Sequence, residues 1–204
     1  MAVDVPGLIP EGLDREALRI THVRGPMTSQ VRSRVIREGG EAAWVQLLSR
    51  VSPECRDVFL RDIGVYEWVE ARYSSELSLK YMAQTASDFT RQRGVEAARE
   101  QLTVLNRWLL KMMTPGFLLG NLPRLYNLYY RGGRVVLDEV GETQALLSLW
   151  ADGFYPIWYQ EGLPGWLSSA LETTGAQGVK VTYVPPEKDG LLAFRHRYQL
   201  VWLP

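Results

Sequence analysis

His22, His196 and Cys55 are the only histidines and the only cysteine in a chain of 204 residues, and most familiar reaction chemistry needs more than they supply. A structural zinc takes four closely spaced Cys or His ligands, so three such residues far apart in sequence exclude one. A nucleophilic Ser, Cys or Thr needs a positioned base. There is no Gly-x-Ser-x-Gly turn, and two histidines leave few triads to build. Cys55 follows Pro53-Glu54 in the first turn of an expected helix, where the dipole can lower a thiol pKa. The simpler expectation is a small buried residue. No Gly-x-x-x-x-Gly-Lys-[Ser/Thr] and no Gly-x-Gly-x-x-Gly loop is present to cradle phosphates. Asp138 and Glu139 are neighbours in an expected strand, so they point to opposite faces and cannot share a substrate. They read as the solvated end of a hairpin. The sequence therefore predicts a non-enzyme, with no metal and no cofactor.

What remains is aromatic. On the expected last strand Phe194, His196, Tyr198, Leu200 and Trp202 alternate onto one face, with Arg195, Arg197 and Gln199 on the other. Tyr183 can join them from a neighbouring strand, and Tyr126, Tyr129 and Tyr130 from a covering helix. An apolar cavity with a few polar tips is the usual make-up of a small-molecule site. Tyr126, Tyr129, Tyr183, His196, Tyr198 and Trp202 are accordingly the candidate ligand-binding residues. The alternative stays open: the same stripe is packed core, and His196 is a satisfied core histidine.

The elements that must position these groups change type midway. Met27, Val31, Val35 and Ile36 share a helical face that ends at Gly39-Gly40, and Trp44, Leu47, Leu48 and Val51 repeat at helical spacing. Ser52-Pro53 supplies a cap and a first-turn proline for the next helix. A helix bearing Leu77, Tyr81, Met82 and Phe89 is expected to end near Gly94. Another, carrying Val95, Ala98, Leu102, Leu105, Leu109 and Met112, ends at Thr114-Pro115. A further one runs from about Phe117 to Tyr130. After Gly132-Gly133 the period becomes alternating: strands over Val135–Val140 and Ala145–Ala151, a helix over about Pro156–Thr174 interrupted near Leu163-Pro164-Gly165, then a hairpin of Val179–Val184 and Leu191–Leu203. The expected fold class is α+β: N-terminal helices, then a β-β-α-β-β four-stranded antiparallel sheet with helices on one face. Residues 1–16 read as a leader or extended arm and 17–204 as one domain, helical over about 27–131 and sheet over about 133–203.

Charge and hydropathy narrow the partners. Lys plus Arg equals Asp plus Glu, 23 of each, so no global field gathers nucleic acid or anionic lipid. Arg15, Arg19, Arg24, Arg32, Arg34 and Arg37 crowd one segment, and the expectation for them is a solvated, mildly positive helix face. No stretch approaches the roughly 20 apolar residues that span a bilayer, and the N-terminus lacks the pattern of a secretory signal. A cytoplasmic setting is expected.

A helical half followed by β-β-α-β-β resembles the topology of heme-nitric-oxide-binding domains and of vinyl-reductase-like ligand-binding domains. More closely, the chain resembles a myxobacterial paralogous family of uncharacterised proteins about 200 residues long. The residues that carry the likeness are Gly25, Gly39-Gly40 with Trp44, Tyr66-Glu67-Trp68-Val69, Thr114-Pro115 with Leu118-Leu119, Tyr129-Tyr130 before Gly132, and Gly165-Trp166-Leu167. The resemblance implies the fold and a cytoplasmic setting. It also implies that a heme-binding member would carry an axial histidine on a helix and a Tyr-x-Ser-x-Arg anchor for the propionates. This chain has neither, and its C-terminal hairpin has no cysteine. The functional expectation is a ligand-sensing or adaptor module that binds a small, largely apolar molecule and signals to a protein partner. The alternative is a homodimeric interaction protein with a filled core.

Overall fold

Three of the N-terminal helices begin at a side chain that accepts from a free N–H of the first turn, Asp14, Ser52 and Thr114, and the helices bury apolar residues along one side. The computed structural model describes residues 10, 12–83, 89–104, 113–188 and 190–203. Helix α1 (Arg15–Leu18) opens on Asp14, whose Oδ1 accepts from the Ala17 amide at 2.7 Å. Strand β1 (His22–Arg24) leads into α2 (Gly25–Leu48), which breaks at Gly40, where φ is +72°. The expected stop at Gly39-Gly40 is thus a kink between two helical segments. Helix α3 (Pro53–Phe59) follows, then β2 (Trp68–Glu70), α4 (Ala71–Met82), α5 (Phe89–Val104) and α6 (Pro115–Tyr129), which Thr114 caps. At the start of α3, Ser52 Oγ accepts from the Cys55 amide at 3.3 Å and donates to Glu76 on α4 at 2.8 Å. Ser52→Ala removes both bonds and is expected to cost about 1 kcal/mol, measurable by urea unfolding.

The sheet half has the expected order. Strands β4 (Arg134–Val140) and β5 (Gln144–Trp150) precede a π-helical turn (Trp158–Gly162) and α7 (Leu163–Thr173). Strands β6 (Gln177–Val184) and β7 (Arg195–Leu203) then close an antiparallel sheet of order β4-β5-β7-β6. The outer strands β4 and β6 each carry a register irregularity, between Leu137 and Glu139 and between Gln177 and Lys180. On β7, His196, Tyr198, Leu200 and Trp202 are buried while Gln199, Val201 and Leu203 are exposed. The buried row continues on β5 through Leu149, Leu147 and Ala145, which pair with His196, Tyr198 and Leu200. Helix α7 packs between this half and α5. A second, three-stranded sheet joins β2, β1 and a short β3 (Tyr130–Arg131).

Several expectations change. Gly94 does not end a helix; it lies buried inside α5, because a backbone from the other half of the fold needs the space of its missing side chain. Phe194 belongs to a 3₁₀ turn (Gly190–Phe194) before β7, so the alternating stripe starts at His196. Asp138 is not a solvated hairpin end. It faces Arg195, 3.3 Å away, and the hydroxyl of Ser148 on the outer side of the sheet. Arg195 also donates to Ser148 Oγ at 2.9 Å and lies over the Trp150 ring, so the outward-facing Ser148 and Trp150 are buried. The arginine-rich segment is largely neutralised: Arg32 pairs with Asp62, and Arg34 with Glu38 and Glu96. The expected leader over 1–9 and the helical positions Leu105, Leu109 and Met112 lie outside the described residues. Among the described residues no helix is long and apolar enough to cross a membrane.

Candidate functional site

Where α6 and α7 meet the sheet, the core leaves a cavity of about 50 Å³. Its walls come from every layer. Met27 on α2 and Gln101 on α5 form one side, Leu122, Leu125, Tyr126 and Tyr129 on α6 a second, Trp158, Trp166 and Leu167 around α7 a third, and Val135 and Leu147 the sheet side. The polar groups at this surface bond one another. Gln101 Nε2 donates to Met27 Sδ at 3.1 Å, and Gln101 Oε1 accepts from Trp166 Nε1 at 2.9 Å. Tyr130 stacks on Tyr126 with centroids 4.6 Å apart, and the Tyr126 hydroxyl donates to the Gly132 carbonyl at 3.1 Å. Burial pushes both tyrosine hydroxyls well above their usual pKa, so they stay neutral. The cavity thus presents mainly apolar surface, with Gln101, Trp166 and Tyr126 already hydrogen-bonded.

The candidate residues separate into three places. Tyr126 and Tyr129 line the cavity. Tyr183, His196 and Tyr198 form a cluster on β6 and β7: the Tyr183 hydroxyl and His196 Nδ1 are hydrogen-bonded at 3.0 Å, and the imidazole stacks on Tyr159 at 4.1 Å. Tyr198 donates to the Tyr159 carbonyl at 3.0 Å, within ring contact of Tyr183. Trp202 lies farther along β7 in packed core, 2% exposed. Burial pushes the His196 pKa down to about 4, against weaker opposing effects of the Ala151 backbone and Asp152. The unfolded chain, with an ordinary imidazole near 6.5, therefore binds this proton more readily than the native state. Stability is present in full above pH 6.5 and is expected to fall as pH drops from there toward 4. An NMR titration should show the His196 ring neutral and unshifted between about pH 5.5 and 8, and His196→Phe should reduce the acid-side slope.

Met27, Gln101, Trp158, Trp166 and Leu167 were not legible as site residues. They lie on different helices, and periodicity orders helices without saying which converge. One signal was present: Gln101 adjoins Leu102 on the buried side of α5 and is itself only 5% exposed, so a polar side chain interrupts an apolar face.

A helical half joined to an antiparallel β-β-α-β-β sheet is the fold of heme-nitric-oxide-binding (H-NOX) domains. Among solved structures the chain is similar to the iron(II) unliganded H-NOX protein from K. algicida, with TM-score 0.62 and 12% identity over 89% of this chain and 97% of that one. It is also similar to a mutant H-NOX protein from S. oneidensis in the iron(II) state, with TM-score 0.65 and 14% identity over 89% and 96%. A third neighbour comes from work on how protein-induced porphyrin distortion modulates heme redox potential (TM-score 0.60, 12% identity, 88% and 98%). At these identities the likeness shows the fold. No protein-family model matches the chain, and no curated protein matches it.

Heme, which this fold family implies, does not fit the residues present. The sequence holds two histidines, and neither faces the cavity. His22 sits on β1 with Nδ1 bonded to the Thr21 hydroxyl at 3.0 Å, and His196 is held by Tyr159 and Tyr183. Among the described residues the one sulfur at the wall, Met27 Sδ, already accepts from Gln101. Ligand pockets of drug size run to about 300–1,000 Å³, against about 50 Å³ here, with the buried rings of Trp158 and Trp166 at its wall. Among the described residues no three His, Cys, Asp or Glu side chains gather as a metal site.

Proposed function

We propose that the chain is a non-enzymatic ligand-sensing module on the H-NOX fold, in which a small apolar molecule, rather than heme, occupies the cavity beside Tyr126 and Tyr129. The observation that carries this reading is the wall itself: apolar surface at the junction of both halves, with Gln101, Met27 and Trp166 bonded to one another and no histidine at the lining. A space of this size holds a few heavy atoms. At about 1.5 kcal/mol for each heavy atom at best, affinity is bounded near millimolar. The cavity also touches the elements that would report its state. Met27 is three residues from Arg24, and Arg24 and Arg131 each place a guanidinium 4.5 Å from the Trp68 ring on the surface. A protein partner is the proposed reader of that state.

Xenon is a suitable probe. In ¹²⁹Xe and methyl NMR, the resonances of Leu122, Leu147 and Leu167 are expected to shift in a saturable way, and Val135→Phe should abolish the shift by filling the space. Hemin titration of the purified protein should give no Soret band of histidine-ligated heme. A stoichiometric band lost on His22→Ala or His196→Ala would sink the heme-free reading. Self-association is the second reading, favoured by Val201 and Leu203, which are 50% and 62% exposed on the outer sheet face. Sedimentation of Val201→Glu checks it: an unchanged dimer, or no dimer in the parent protein, removes this face as the interface.

A further inference from the structure

Arg93 is a buried cation without a buried anion. Its residue is 4% exposed. Its guanidinium donates from Nη1 to Ser78 Oγ at 2.9 Å and to the Tyr155 hydroxyl at 3.0 Å, and from Nη2 to the Met27 carbonyl at 2.9 Å. All three acceptors are neutral. Among the described residues no carboxylate lies within 4.0 Å of it, although other arginines of the same region are paired: Arg34 with Glu38 and Glu96, and Arg37 with Glu96. A buried charge that is neither paired nor fully hydrogen-bonded is costly enough that proteins rarely keep one.

The guanidinium nitrogen without an acceptor shows where a partner belongs. Arg93 Nε is buried with no hydrogen-bond acceptor, and so is Gln30 Nε2 on α2. Both residues line one small polar cavity of about 20 Å³ between α2 and α5, separate from the apolar cavity. A space of that size exceeds the roughly 10–15 Å³ that one water-sized species needs. Of the carboxylates at its wall, Glu96 is held by Arg34 and Arg37, and Glu100 is exposed.

We propose that this cavity is a binding site for one small monovalent anion of chloride size, held by Arg93 Nε and Gln30 Nε2. Two N–H donors at one cavity call for an acceptor. A water would satisfy the donors and leave the guanidinium charge uncompensated; an anion does both. The site stands on these contacts alone and does not depend on what fills the apolar cavity.

The test is thermal unfolding of the full chain in chloride, with gluconate holding ionic strength constant. The midpoint should rise by about 3–6 °C when chloride reaches tenfold its Kd, the shift that such an excess gives a domain of this size. Gln30→Leu removes one donor without touching the charge and should reduce the shift by at least half; Arg93→Met should abolish it. Crystals soaked in bromide should show an anomalous peak between Arg93 Nε and Gln30 Nε2. A midpoint independent of chloride, a shift that survives in both variants, or a bromide soak that leaves only a water at that position would overturn the proposal. Should Arg93→Met fail to fold, the Gln30→Leu midpoints and the bromide map decide between the same outcomes.

Discussion

Gly94→Ala is expected to destabilise the protein by about 3 kcal/mol, lowering its thermal midpoint by roughly 6–12 °C. The usual effect of this change inside a helix has the opposite sign, because alanine is favoured over glycine by about 0.5–1 kcal/mol. Here a Cβ at position 94 would lie 1.9 Å from the Gly162 carbonyl oxygen and 2.9 Å from the Trp166 amide nitrogen. The neighbour is backbone, so no side chain can swing aside. The approach is close from the other side too: a Cβ on Gly165 would come within 2.2 Å of the Arg91 carbonyl oxygen. Helix α5 and the start of α7 therefore touch main chain to main chain, and Gly165→Ala should behave alike. Because one displacement relieves both clashes, the double variant should cost less than the sum of the two. Urea unfolding of the two single variants and the double variant measures this. A raised midpoint for Gly94→Ala would mean that the helices do not cross this closely.

Trp202→Ala should cost about 3–5 kcal/mol, the range for deleting a large buried side chain. Its ring is 2% exposed on the inner face of β7, beside Leu200, and its backbone amide donates to the Thr143 carbonyl at 3.0 Å, a bond the substitution leaves alone. The loss is thus one of packing. It distinguishes two roles for the same residue: core predicts a large fall in urea midpoint with the xenon shifts of the cavity leucines unchanged. A variant of near-native stability that no longer takes up xenon would instead make Trp202 a wall of the site.

These residues also show what the sequence made legible. Alternation along β7 put His196, Tyr198, Leu200 and Trp202 on one face, and the structure buries all four, because a period of two fixes sidedness wherever a strand pairs on both edges. The helix-then-sheet order followed equally from local spacing. Gly94 was misread because a glycine that ends a helix and one that admits a neighbouring backbone look the same along the chain; only the position of Gly162 separates them. Asp138 looks solvated along the chain because its partners, Ser148 and Arg195, lie on other strands and meet it only in the folded sheet. The cavity was half legible: Tyr126 and Tyr129 belong to one helix face, whereas Met27, Gln101 and Trp166 meet them only through tertiary packing.

The irregularities in β4 and β6 bear on how this protein can meet others. They sit on the two outermost strands of the four-stranded sheet, the places where a row of unsatisfied amides and carbonyls could template another chain. An added residue interrupts that row and twists the strand away from a flat ribbon, and Lys180 sets a charge beside one of the two breaks. Continuous strand-to-strand pairing between copies is thereby discouraged at both rims. A partner that meets this sheet is therefore expected to engage side chains on its face, which leaves recognition to composition and spares these rims an indiscriminate backbone adhesive.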